Sequence, residues 1–127
     1  MRKITLPITL LICLGLSLPL QAADDKGSYA IWGVGNTTCH RYNKARENNA
    51  YQAYKDYTLG YLTAYNTLSE DTYRVTGKMH LDDVLDWLDT ACHTTPVTSF
   101  ELSLRNMITN LYAKRLHKAP KKKRGGW

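Results

Sequence analysis

Between Ala50 and Asn66 the chain reads AYQAYKDYTLGYLTAYN, with tyrosine returning at spacings of three and four. That period belongs to a helix and not to a strand, so the stretch is predicted helical with one side toward a core. At about 100° per residue, Ala50, Ala53, Tyr54, Tyr57, Gly60, Tyr61, Ala64 and Tyr65 share one arc, and Gln52, Lys55, Asp56 and Thr63 lie away from it. Gly60 and Ala64, one turn apart, predict the close approach of a neighbouring backbone. Leu59 and Leu62 project from the other half. They are expected to form a second contact surface, for a partner or for another copy of the chain.

The compartment is read from the start of the chain. Met1-Arg2-Lys3 is positive, Ile4 to Leu20 is apolar between Pro7 and Pro19, and Leu20-Gln21-Ala22 offers a small-residue cleavage site. Residues 1–22 are therefore read as a cleaved signal peptide, and the mature chain is expected to be periplasmic or secreted. Cys13 leaves with that segment. Cys39 and Cys92 remain, an even pair in an oxidising compartment, which predicts one disulfide. It would close a loop of roughly 50 residues and contribute about 4 kcal/mol. What is left is long enough for one domain, residues 23–117, followed by a basic tail, residues 118–127.

Charge is divided along the chain. Of the 17 Lys and Arg, two lie in the leader and seven at or beyond Lys114, so the body between them sets eight positive charges against 11 carboxylates. The tail carries Lys121, Lys122, Lys123 and Arg124, with Trp127 at its end. An exported chain does not meet nucleic acid, so this cluster is read as a contact for anionic headgroups or an acidic partner. The tail has no apolar period and is expected to be disordered.

An all-α domain of four helices follows from the remaining patterns. Tyr29 to Gly35 is too glycine-rich for a helix and is predicted to be an extended arm anchored by Ile31 and Trp32. A first helix, Thr38 to Glu47, turns Cys39, Tyr42 and Ala45 inward. Thr67 to Lys78 is predicted to be a surface connection into which Tyr73 and Val75 tuck back. A third helix, Leu81 to His93, sets Val84, Leu85, Trp87, Leu88, Ala91 and Cys92 against a face of Asp82, Asp83, Asp86 and Asp89. Thr95 and Pro96 are the expected cap and first residue of a fourth helix reaching about Leu116, with Val97, Phe100, Leu104, Met107, Ile108 and Leu111 facing the core.

Chemistry is harder to find. Cys39-His40 and Cys92-His93 bring metal-ligand residue types together, but neighbours on a helix point about 100° apart, and oxidised cysteines lack thiolates. The aspartate row is read as a solvated face. No nucleophile–base set, phosphate loop or paired-cysteine zinc pattern is present, so the chain is read as non-enzymatic, without cofactor or metal.

The run WGVGNTTC, then GYLTAYN, then VLDWLDTACHTTP before a final helix, resembles the HdeA/HdeB periplasmic acid-chaperone family in layout. That resemblance implies one disulfide joining the first helix to the start of the C-terminal half. It also implies a closed neutral form, a homodimer through the Leu59 and Leu62 surface, and acid opening that exposes apolar surface to clients. The same layout is similar to periplasmic immunity proteins that neutralise toxins delivered by type VI secretion, which implies a rigid face and one tight partner. A third class is an envelope adaptor held on anionic membrane by its tail.

Overall fold

The computed structural model describes residues 23–121, so the predicted leader and residues 122–127 of the tail lie outside the described residues. The chain divides after Ala30. In the first unit, residues 23–30 hold a turn in which Asp24 Oδ1 accepts from the N–H groups of Lys26 and Ser28, at 2.9 and 2.7 Å. Asp favours such turns because its side chain takes over the bonds a backbone carbonyl would make.

From Ile31 onward the second unit is all-helical, with α1 Cys39–Glu47, α2 Gln52–Leu68, α3 Leu81–Thr94 and α4 Phe100–Leu111. Two 3-10 turns, Gly33–Asn36 and Tyr112–Lys114, stand at its ends. Thr38 caps α1, its hydroxyl accepting from the Arg41 N–H at 3.4 Å. Asn49, at φ 53, turns the chain out of α1 toward α2. The Asp83 carboxylate accepts from the His80 N–H at 2.8 Å and closes the start of α3.

The core is assembled around the predicted disulfide. Cys39 and Cys92 are joined, with Cα atoms 4.8 Å apart, and both are fully buried. Ser103 of α4 lies against the bridge, Oγ 3.1 Å from Cys39 Sγ, so three helices converge there. Beside it Tyr42, Tyr54 and Phe100 form a ring cluster with centroids 4.8 to 5.2 Å apart, spacings at which tilted and edge-on aromatic pairs attract. Leu88, Leu104, Met107 and Ile108 complete the layer.

Three expectations need correction. First, α4 begins at Phe100 with Ser99 as its cap, not at Pro96, and Val97 is 87% exposed. The opening N–H groups of α1 have no acceptor in their own helix. Pro96 and Thr98 supply it: Cys39 N–H donates to Thr98 O at 2.7 Å and His40 N–H to Pro96 O at 2.8 Å. Residues 96–98 must stay non-helical to do so, and this long-range pairing outweighs the local Thr-Pro start. The same helix ends at Leu111 rather than Leu116, because the chain turns and Leu116 pairs with Arg74.

Second, the arm is not extended over the core by Ile31 and Trp32. Trp32 is 80% exposed, Ile31 only half-buried, and the contact is made by the 3-10 turn that follows, which sits against α2 and α4. Third, the buried face of α2 is rotated by about 60° from the predicted arc. Tyr54, Thr58 and Leu62 are buried, with Tyr57, Tyr61 and Tyr65 packed alongside, while Ala53, Gly60 and Ala64 face outward. Thr58 can enter the core because its hydroxyl donates to Tyr54 O at 2.8 Å, leaving its methyl as the packing surface.

The close-approach glycine is therefore Gly35 and not Gly60. A Cβ on Gly35 would strike the hydroxyl and ring of Tyr57, whereas one on Gly60 meets nothing within 4 Å. Gly35→Ala is expected to lower unfolding free energy by about 1–3 kcal/mol through overpacking. Gly60→Ala is expected to raise it by about 0.5–1 kcal/mol through helix propensity. Urea unfolding of the two variants checks the pair; equal effects would return the face of α2 to the predicted arc.

Candidate functional site

A groove is built where the α2–α3 connection meets the chain that follows α4. Leu116 and Arg74 exchange backbone hydrogen bonds at 2.9 and 3.1 Å, and Tyr73 N–H also donates to Leu116 O at 2.8 Å. Asp71, at φ 49, receives His117 Nδ1 on its carboxylate at 2.7 Å and lies 3.8 Å from the Arg115 guanidinium. The segment after α4, residues 115–117, is thus clasped to the connection. Val75, one residue on, is fully buried, its N–H donating to Asn66 Oδ1 at 2.8 Å, whereas Tyr73 stays half-exposed.

The chain then turns sharply. Gly77 has φ 62, and a Cβ there would lie 2.6 Å from the Lys114 carbonyl oxygen, so only glycine lets the loop come this close to the 3-10 turn after α4. Arg74 Nε donates to Gly77 O at 2.6 Å and holds this conformation. Between loop and helix end lies a groove of about 490 Å³. Met79, Leu111 and Leu116 give it an apolar wall, and Lys78, Lys114 and Asp83 a charged rim. A smaller cavity, about 240 Å³, lies on the other side of Thr76 and Met79 and is lined by Leu59, Leu62 and His80 among others.

The predicted site residues are placed as follows. Leu59 is 43% exposed, but Leu62 belongs to the core, so the two do not make one outward surface. Lys121 is exposed, and Lys122, Lys123 and Arg124 lie outside the described residues. His40 and His93 are exposed beside the disulfide, and among the described residues no group of three His, Cys, Asp or Glu is placed to hold a metal. No described helix is long and apolar enough to cross a membrane.

The aspartate row of α3 is not one solvated face. Asp82 and Asp86 are exposed, Asp83 caps its helix, and Asp89 joins α3 to α1. Arg46 Nε and Nη2 donate to the Asp89 carboxylate at 2.9 and 2.6 Å, and the Tyr42 hydroxyl donates to it at 2.6 Å. Sequence reading also missed Glu101, which is buried at the start of α4 and accepts from the Tyr61 hydroxyl at 2.7 Å. It stands second in α4, where a carboxylate meets the positive helix end, a signal hidden while the helix is read from Pro96.

Titration follows this geometry. Burial, with the hydrogen bond to Asp89 second, drives the Tyr42 phenol far above its ordinary value of 10.0. The same carboxylate raises Arg46 further into the charged range, and Lys44 beside exposed Glu47 lowers that carboxyl. The chain matches no protein-family model, no curated protein and no solved structure.

The Tyr42 shift has a sign that can be tested. The folded chain holds this proton more tightly than the unfolded one, so the contribution is intact below the ordinary tyrosine value of 10.0. It is lost as pH rises past that value toward the folded one, at about 1.4 kcal/mol per pH unit for one proton. Urea unfolding between about pH 8 and 11 should show this alkaline fall in the native sequence and a shallower one in Tyr42→Phe. Equal slopes would mean that Tyr42 ionises alike in both states.

Proposed function

We propose that the chain is a non-enzymatic binding protein of the cell envelope and that the groove beside Gly77 is its binding site. The observation carrying this reading is the groove itself: an apolar wall with two exposed lysines at its rim, on a backbone fixed by a clasp, a buried valine and a glycine contact. Its volume falls within the roughly 300–1,000 Å³ usual for small-molecule sites. The envelope assignment rests on the leader-like residues 1–22 and on the Cys39–Cys92 bond, which suits an oxidising compartment. A photo-crosslinking side chain at Leu111, in the groove, should yield an adduct in envelope extract that the same probe at exposed Thr109 does not. Matching adducts from both positions, or none from either, would remove the groove as the site.

One observation favours an HdeA/HdeB-like stress chaperone as the second reading. Helices α1, α3 and α4 approach one another closely around the disulfide, whereas among the described residues the only element with which α2 makes a comparably close approach is the Gly33–Asn36 turn. Tyrosine side chains span the rest, with Tyr54 on Phe100 and Tyr61 on Glu101. Acid removes carboxylate charge, and α2 is then the helix that can leave and uncover the rings while the bond keeps α1 and α3 together. A hydrophobic dye should then bind strongly at about pH 2–3 and weakly at neutral pH. Dye binding that stays flat across that range would reject the chaperone reading and leave the groove unaffected.

A further inference from the structure

Several polar groups around the groove are engaged within the chain. Gly77 O accepts from Arg74 Nε, Gly77 N–H donates to Arg74 O, and Met79 N–H donates to Thr76 O. The Asp83 carboxylate is taken by the His80 N–H, and Thr76 Oγ1 lies 3.5 Å from Met79 O. Lys78 and Lys114 differ: both are exposed, and neither has an ion-pair partner among the described residues. A ligand with one anionic end and an otherwise apolar body matches the apolar wall and the two lysines. The apolar wall of Met79, Leu111 and Leu116 takes the body, and the two ammonium groups take the charge.

We propose that the groove binds a long-chain carboxylate, its alkyl chain along the apolar wall and its head between Lys78 and Lys114. This rests on the reading of the groove as the binding site and adds the class of ligand. Calorimetric titration of the oxidised, full-length mature protein with octanoate, decanoate and laurate, each below its micelle concentration, tests it. Affinity should rise about fourfold for each added methylene that reaches the wall. Dodecylamine, equal in chain length and opposite in charge, should bind more weakly than laurate. The double variant Lys78→Glu/Lys114→Glu should lose about tenfold for laurate and come to prefer dodecylamine, with an unchanged melting temperature because both side chains are exposed. Equal binding of laurate and dodecylamine by the native chain, or no binding of laurate, would overturn the proposal. Should laurate fail while a probe at Leu111 still captures a peptide, the ligand class falls and the groove stands. Should both fail, the reading of the site falls with it.

Discussion

The first N–H groups of α1 have no acceptors in their own helix, and the connection between α3 and α4 supplies them. That exchange sits directly on the Cys39–Cys92 bond, so the covalent and the hydrogen-bonded ties reinforce one another at one point. Phe100 N–H returns a bond to Thr37 O at 2.8 Å, and Asn43 Nδ2 donates to the Cys92 carbonyl at 3.0 Å. With the start of α1 fixed there, its next turn must carry Tyr42 into the rings of Tyr54 and Phe100. One turn further, Arg46 must meet Asp89 on α3. The register of three helices follows from this junction.

Electrostatics then distinguishes residues that look alike in sequence. Asp82 and Asp89 lie on the same helix, yet one faces water and the other holds a guanidinium and a phenol between two helices. Removing Asp89 would leave a buried hydroxyl and a part-buried cation without their shared acceptor, a loss larger than any exposed ion pair supplies. The clasp of Asp71 with Arg115 and His117 is more exposed and works with backbone pairing rather than instead of it. It places Leu116 against the groove wall.

Legibility in the sequence tracked how local each determinant is. The stripe of α3 came through because apolar residues mark it, as did Phe100, Leu104, Met107 and Ile108 on α4 but not the buried Glu101 and Ser103 beside them, and the disulfide followed from cysteine parity. The predicted face of α2 is rotated because its small residues read as packing residues, while Thr58, polar by composition, satisfies its hydroxyl inside the helix. The start of α4 was misplaced because a distant helix needs residues 96–98 unwound. The groove was not legible: Gly77 and Lys114 are far apart in sequence, and no periodic pattern announces their contact. Asp89 was visible as a residue but not as a partner, since its role depends on the register between α1 and α3.

The bond between Cys39 and Cys92 encloses all of α2 and both connections that flank it, and leaves α4 outside the ring. A protease that cuts the exposed Asn48–Ala50 link, or the turn at Glu70 and Asp71, therefore produces two polypeptides that remain one molecule. Such a nick would not change the mass seen without reductant, apart from one added water. It would free one end of α2 while α1, α3 and α4 kept their junction, so cleavage inside the ring acts on this domain as a change of topology rather than as the loss of a part.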